Sequence, residues 1–344
     1  MPRVLHVPCD LAGGGAERMV LELARRSSPG FVHHVAPLHA TGSLRPAFQA
    51  AGVPIHDLRR VRGRPGLRAT LRLAALCRDY DLVHTHLWAG DTWGRLGAGL
   101  AQHPAVVVTE HNTRAEAPWR QALSVRLHPL CRVVVAVSPA AAEGLVAAGL
   151  PPDRIRVIAN GIDLDRFRPL PPRSGPPRVV LGLGRLEPQK GFDLAARAVA
   201  GLPGLRLVLA GEGSQGPALA AAGALLRGWQ PDVLPLLAEA DIVVVPSRWE
   251  GFGLAAVEAL ACGLPVVAAD VPGLREVVGD AALLVPPEDP VALAGALRRL
   301  VEEPALRARL AQAGPVQAAR FSLDATVAAY EALYSSLLPQ AATA

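Results

Sequence analysis

"PSRWEGFGLAAVEALACGLPVV", residues 246–267, decides how the chain folds. The run that leads into it, "DIVVVPS" (241–247), is apolar and β-branched, as a buried strand requires. "GFG" at 251–253 breaks that strand, and a helix opens near Leu254. "PVVAAD" (265–270) then reads as a second strand. Strands joined through a helix lie parallel, because only a crossover returns the chain to the same end of the sheet. Acids sit on both sides of the helix start: Glu250 in the loop, Glu258 about one turn into the helix. With the N–H groups of Phe252, Gly253 and Leu254 between them, they suit a ligand with hydroxyls at both ends and a phosphate in the middle. Two solvated acids would leave the same pattern.

The alternation extends along the whole chain. "RVLHVP" (3–8), "VHHVAPL" (32–38), "DLVHTH" (81–86), "AVVVTEH" (105–111), "RVVVAVS" (132–138) and "RIRVIANGI" (154–162) form one series of strands separated by helical sequence. "RVVLGLGRL" (178–186), "LRLVLAGEG" (205–213), "ALLRGW" (224–229), "DIVVVPS", "PVVAAD" and "ALLVPP" (282–287) form another. Between them "DLDRFRPLPPRSGPP" (163–177) is rich in proline and lacks periodicity, which marks a linker. Short, nearly continuous apolar strands alternating with helices imply parallel sheets covered on both faces. The expected fold is therefore α/β, with two Rossmann-like, doubly wound domains facing across a cleft. Its boundaries are 1–168, 169–321 and a closing helical segment, 322–344. Either domain could take that last segment, and it is assigned to pack back on the first.

A parallel sheet places its working loops beyond the carboxyl ends of its strands. "GRLEPQKG" (184–191) follows one such end and contains Arg185 and Lys190. Of 35 basic residues in the chain, Lys190 is the only lysine, so chance is a poor account of its place in this loop. An arginine fork and a compact ammonium at a helix N-terminus make an anion site. The only two asparagines, Asn112 in "TEHNT" and Asn160 in "ANGID", also lie at strand ends, though Asn160 is equally a turn residue. His84, His86 and His111 end strands as well; each is a candidate site residue or an ordinary packed histidine.

Residues 1–170 hold 21 arginines against 13 acids, and residues 171–344 hold 14 basic against 17 acidic residues, for a net +5 overall. Seven of the arginines fall in residues 56–78. That Arg59–Arg78 region is either a solvated helix face or a surface for anionic lipid or an anionic substrate. Nucleic acid is not expected, since no aromatic platform accompanies the charge. The four cysteines are scattered, against a disulfide framework or a zinc site and for a reducing compartment. No export signal or membrane span is read, so a cytoplasmic protein is expected, with peripheral contact at the inner membrane face as an option.

Taken together, "GRLEPQKG", "ANGID", "PSRWEGFGLAAVEALACGLPVVA" and the glycine-rich "GGGAER" (13–18) resemble glycosyltransferase family 4, retaining enzymes of GT-B fold. The motifs occur in the family's order along essentially the whole chain. The resemblance implies that Arg185 and Lys190 bind the donor diphosphate, Glu258 the ribose hydroxyls and Glu250 the donor-sugar hydroxyls. It implies that Phe252, Gly253 and Leu254 cover sugar and phosphate, and that Arg227, Gly228 and Trp229 border the base. Gly14 and Gly15 would close on the diphosphate, and His111 would face the donor sugar. The catalytic set is then Arg185, Lys190, Glu250 and His111; independently of the resemblance, the strand-end residues His84, His86 and Asn112 are the acceptor-side candidates. "VPGLREVV" (271–278) departs from the usual Gly-Gly-Pro-Glu but keeps Gly273 and Glu276.

The implied reaction moves a sugar from a nucleotide diphosphate sugar, UDP-linked by preference and GDP-mannose otherwise, to an acceptor hydroxyl. The basic first half and its arginine-rich region favour a glycan or lipid-linked glycan in cell-envelope polysaccharide synthesis, held at the inner membrane face. No cofactor or metal is expected. A nicotinamide oxidoreductase is rejected because "GGGAER" lacks the third glycine of the dinucleotide fingerprint and "HH" (33–34) stands in the second strand. A non-catalytic nucleotide-sugar binder is disfavoured by the presence of both Glu250 and His111. A GT-B phosphorylase or nucleotide-sugar epimerase is the remaining alternative.

Overall fold

The computed structural model describes residues 1–39, 41–58, 67–112, 118–171, 173 and 175–339. It divides into two units, Met1–Asn160 with Asp324–Ala344, and Gly161–Leu323. The described strands are β1 (Arg3–Val7), β2 (Val32–Val35), β3 (Leu82–His86), β4 (Val106–Glu110), β5 (Val133–Ala136) and β6 (Ile155–Val157) in the first unit. The second has β7 (Val179–Leu183), β8 (Arg206–Ala210), β9 (Leu225–Leu226), β10 (Ile242–Val245), β11 (Val266–Ala269) and β12 (Leu283–Val285). Every apolar run singled out in the sequence carries one of them.

Each sheet is parallel and six-stranded, ordered β2-β1-β3-β4-β5-β6 and β12-β11-β10-β7-β8-β9. Val and Leu fill the strands because helices cover both faces: β5 and β10 are buried at every residue. The helix Phe192–Ala200 shows how a face is chosen. Phe192, Leu194, Ala195, Ala198 and Val199 turn inward while Arg197 stays exposed. Each large apolar side chain so buried contributes about 1.5–3 kcal/mol.

The second sheet, counted from β7, has the order 3-2-1-4-5-6 of a doubly wound fold. Its strand order reverses between β7 and β10, and ligands of such sheets bind in the crevice beyond that reversal. The loops leaving β7 and β10 are those that carry Lys190 and Glu250. In the first sheet the reversal falls between β1 and β3.

The proline-rich segment behaves differently from a linker. Phe167 is buried and the Leu170 amide donates to the Cys262 carbonyl at 3.0 Å, so the segment's first half, up to Leu170, packs as part of the second unit. The division between the two units falls between Asn160 and Gly161. The helix Leu323–Leu337 belongs from Asp324 onward to the first unit, where Tyr330 and Tyr334 are fully buried.

Gly191 fixes the path of the lysine loop. It is left-handed at φ +66°, and a β-carbon there would lie 2.1 Å from the Pro246 carbonyl oxygen. Replacing it adds both backbone strain and a backbone clash. Gly191→Ala is expected to lower stability by about 2–4 kcal/mol in urea unfolding. An unchanged midpoint would mean that the loop has room to spare.

Candidate active site

In the second unit, β7 ends at Leu183 and a short 3-10 turn, Pro188–Lys190, carries the lysine to the start of the helix at Phe192. From the next strand but inside the same reversal, the β10 loop brings Glu250 to it. Lys190 Nζ donates to Glu250 Oε2 at 2.7 Å, and Ser247 Oγ donates to the same oxygen at 3.0 Å. Both charged side chains are mostly covered, at 19% and 12% exposure. At that depth the attraction is screened less than at a surface, and removing either partner strands a charge. Three N–H bonds are available on the ammonium, and Glu250 occupies one direction. The remainder can meet an incoming anion.

What holds this pair is Arg248, which the sequence reading did not single out. Its guanidinium binds both carboxylate oxygens of Asp193 at 2.9 and 2.8 Å and Glu288 Oε1 at 2.6 Å. It also donates to the Pro188 carbonyl at 2.5 Å, inside the lysine turn. The fork geometry gives this clamp its direction. The fork's hydrogen bonds hold the Asp193 carboxyl below its usual range, with burial opposing. Main-chain links add to it: the Arg248 amide donates to the Gln189 carbonyl at 2.8 Å, and Gln189 Nε2 donates to the Trp249 carbonyl at 3.1 Å. Gln189 Oε1 in turn accepts from Arg185 at 3.0 Å. Arg185 is exposed, so its guanidinium faces solvent with one tether. The loops 185–191 and 246–251 are thus laced into one body.

Glu258 is half-buried in the second turn of the helix Leu254–Ala261, which Gly253 heads. Phe252 is buried, edge-on to Phe321 at 5.2 Å, so its ring is structural. Gly273 keeps its place for a steric reason, since a β-carbon there would lie 2.3 Å from the Glu250 carbonyl oxygen. Along β8 and β9, the Gly211 amide donates to the Gly228 carbonyl at 2.8 Å. Leu186, Gly211, Gly213, Leu226 and Gly228 line a shallow, largely apolar depression of about 390 Å³. Arg227 is exposed, 3.6 Å from Glu239, and Trp229 Nε1 is buried with no partner among the described residues. A flat ring fits such a surface, with Glu212 at its margin.

In the first unit, Gly14 is the extended cap of the helix Gly15–Arg26, and its carbonyl accepts from the Arg18 amide at 3.1 Å. His84 is fully buried, with Nδ1 at 2.7 Å from Tyr334 Oη and Nε2 at 2.7 Å from Thr109 Oγ1. Both its nitrogens are engaged inside the unit. His86 is buried too, with Nε2 at 3.1 Å from His6 Nδ1. His111 has a buried Nε2 without a partner among the described residues, and burial lowers its pKa to about 4, so it is a neutral imidazole at pH 7. The Asn112 amide donates to Glu110 Oε1 at 3.1 Å.

Glu110 is a second residue that pattern alone did not expose. Burial raises its carboxyl to about 7, with Asp91 adding to the rise and the Asn112 N–H, Arg95 and the His111 N–H opposing it. Asp91 is itself paired with Arg95, which is fully buried in the helix Leu87–Leu100 and also donates to the Ser124 carbonyl at 2.9 Å. Of the arginine-rich region, Arg59, Arg60, Arg62 and Arg64 lie outside the described residues. Arg68, Arg72 and Arg78 are exposed on or just beyond the helix Leu67–Cys77, with Leu71 52% exposed among them. Among the described residues no helix is long and apolar enough to cross a membrane.

Comparison with known proteins bears on the fold and the family. The family described as "Glycosyltransferase Family 4" matches residues 13–166, and "Glycosyl transferases group 1" matches residues 177–303. A D-inositol 3-phosphate glycosyltransferase of Acidothermus cellulolyticus is 36% identical over 324 residues, spanning 80% of this chain and 72% of the relative. One of the same name from Thermobispora bispora is 32% identical, over 96% and 92% of the two chains. The crystal structure of Anabaena HepE with UDP and glucose superposes with a TM-score of 0.87 at 22% identity, covering 98% and 100%. Sucrose-phosphate synthase from Thermosynechococcus elongatus gives 0.75 at 24% identity, covering 98% and 99%.

Glu110 supplies a test in pH. Its folded pKa, about 7, lies above the ordinary 4.5, so the folded state keeps a proton that the unfolded state has lost in that interval. Stability from this group is full below 4.5 and is lost as pH rises through 7. Glu110→Gln mimics the protonated acid throughout. Between pH 4.5 and 7.5 the wild type is expected to lose about 3 kcal/mol relative to that variant in urea unfolding. Parallel pH curves would contradict the assignment.

Proposed function

The chain belongs to glycosyltransferase family 4, and we propose that it moves a sugar, with retention at the anomeric carbon, from a UDP-sugar to an acceptor hydroxyl. The observation that carries this reading is the Lys190 ammonium held 2.7 Å from Glu250 at the strand reversal of the second sheet. GDP-mannose is the second donor to consider. The curated relatives' name makes D-inositol 3-phosphate the first acceptor to try. A glycan or lipid-linked glycan of the cell envelope is the acceptor class that the basic first half and its arginine-rich region favour.

The chemistry follows from where charge develops. The bond from the anomeric carbon to the diphosphate oxygen breaks, the sugar gains positive character and the diphosphate gains negative charge. The acceptor oxygen bonds to that carbon from the face the leaving group departs, and its proton passes to the departing phosphate oxygen. Lys190, Arg185 and the amides that begin the helix at Phe192 lie ready for the leaving group and need no reorganisation. Glu250 accepts from sugar hydroxyls while steadying Lys190, Glu258 takes the ribose hydroxyls, and the base lies in the depression beside Gly228. In the first unit Gly14, Gly15 and His111 are the donor-side candidates and Asn112 the acceptor-side one; His84 and His86, buried and engaged within the unit, are not assigned to the acceptor. No step calls for a metal ion.

The Arg59–Arg78 region is assigned to the membrane side of the work. Exposed Arg68 and Arg72 flanking Leu71 support that reading, which gives binding to anionic vesicles that weakens with salt. Equal binding to neutral vesicles would contradict it.

Thermal-shift measurement against UDP-glucose, UDP-galactose, UDP-N-acetylglucosamine and GDP-mannose identifies the donor, because only a bound ligand stabilises the fold. Turnover assays with and without inorganic phosphate then separate transfer from its rivals. Phosphorolysis or epimerisation without an acceptor would replace the transferase reading by a phosphorylase or an epimerase. Lys190→Ala is expected to lower kcat about 10²-fold, roughly 3 kcal/mol of transition-state stabilisation, in a protein that still melts cooperatively. Arg248→Met touches no reacting group. It is expected to lower kcat with little change in the donor's KM, since it displaces the lysine turn rather than the base site. Near-normal turnover in Lys190→Ala would refute the leaving-group role.

A further inference from the structure

The first unit contains a histidine cluster that the transfer reaction does not use in full. His6 lies in β1, and His84 and His86 lie in β3. The parallel register sets His6 beside His84, and His84 and His86 are two apart, so the three rings rise from one face of the sheet. Their exposures are 0, 0 and 1%. The rings of His84 and His86 have centroids 4.0 Å apart, and His6 is 5.3 Å from each.

We propose that His6, His84 and His86 hold a divalent first-row transition ion, with Zn²⁺ the best fit. One ring nitrogen from each lies within 4.8 Å of the others. Ligands about 2.0–2.1 Å from a tetrahedral zinc are roughly 3.4 Å from one another. His6 Nδ1 and His86 Nε2 are already 3.1 Å apart, and closing the site requires His84 to exchange one of its two 2.7 Å hydrogen bonds, to Tyr334 or to Thr109, for the ion. Burial lowers the pKa of all three rings well below 6.5, which leaves each with a lone pair at neutral pH. A ring of partners stands outside the trio as metal-bound imidazoles require. His33 Nδ1 meets His6 Nε2 at 2.8 Å, and Tyr334 Oη or Thr109 Oγ1 holds the second nitrogen of His84. His86 Nδ1 is buried with no partner among the described residues, so internal hydrogen bonding does not account for the whole set. Neutral imidazoles without carboxylate or thiolate select Zn²⁺, Co²⁺, Ni²⁺ or Cu²⁺ over Mg²⁺ and Ca²⁺. Water takes the fourth position.

Metal uptake is read directly, so the test needs no substrate. Chelator-treated full-length protein is dialysed against micromolar Zn²⁺ or Co²⁺ at pH 7.5, and bound metal is counted. One ion per chain is expected, with the intense visible absorption of four-coordinate Co²⁺. His6→Gln and His86→Gln are each expected to weaken binding about 100-fold or more. His34→Gln, which alters a ring that pairs instead with His56 and Tyr80, is expected to leave it unchanged. Uptake below one ion per chain, or full uptake in a folded His6→Gln/His86→Gln variant, would overturn the proposal. Where that variant does not fold, a weak octahedral Co²⁺ spectrum in the wild type overturns it equally.

Discussion

The contact between the Lys190 ammonium and the Glu250 carboxylate organises the second unit's working end. Neither charge tolerates partial burial alone, so each loop's position depends on the other's. The Arg248 clamp makes that dependence rigid, because one guanidinium ties Asp193, Glu288 and the Pro188 carbonyl together. Gly191 permits the turn, and the Pro246 carbonyl fills the space a side chain would need. The sheet supplies the rest: parallel strands deliver both loops to the same end, and the reversal between β7 and β10 leaves the opening they share.

This arrangement also answers why a single ammonium survives among so many guanidinium groups. A guanidinium is planar, and its fork wants two acceptors in one plane. The position beside Glu250 and Ser247 asks for one bond to a carboxylate with the remaining donors aimed elsewhere. Lys190 does that as a point charge with rotatable donors. Arg248, where a carboxylate must be gripped by two bonds, is the case for the fork.

Much of the architecture is legible in the sequence, for a physical reason. Strands buried on both faces must be apolar along their whole length, so runs such as "IVVV" in β10 announce themselves, and the glycines and prolines beyond them mark the turns. The loops after β7 and β10 could be named because a parallel sheet puts function at one edge. Lys190 stood out by rarity, and its pairing with Glu250 follows from the strand order. Less could be read where the decisive partner is distant in sequence. Arg248 resembled any loop arginine until Asp193 and Glu288 were beside it. Glu110 is one acid among thirty until burial near Asp91 sets it apart. The proline-rich stretch read as a linker because composition does not reveal that Phe167 and Leu170 pack. His84, readable as a strand-end histidine, proved to have both nitrogens engaged within the first unit, through a tyrosine some 250 residues away.

The central claim is that the lysine held by Glu250 is the cation for a nucleotide's diphosphate. Calorimetric titration of UDP and of uridine into the wild type and into Lys190→Ala tests it most directly. The account predicts that the wild type prefers UDP by well over tenfold and that the preference largely disappears in the variant, while uridine binds both alike. An undiminished preference in a folded Lys190→Ala protein would place the diphosphate elsewhere and contradict the account.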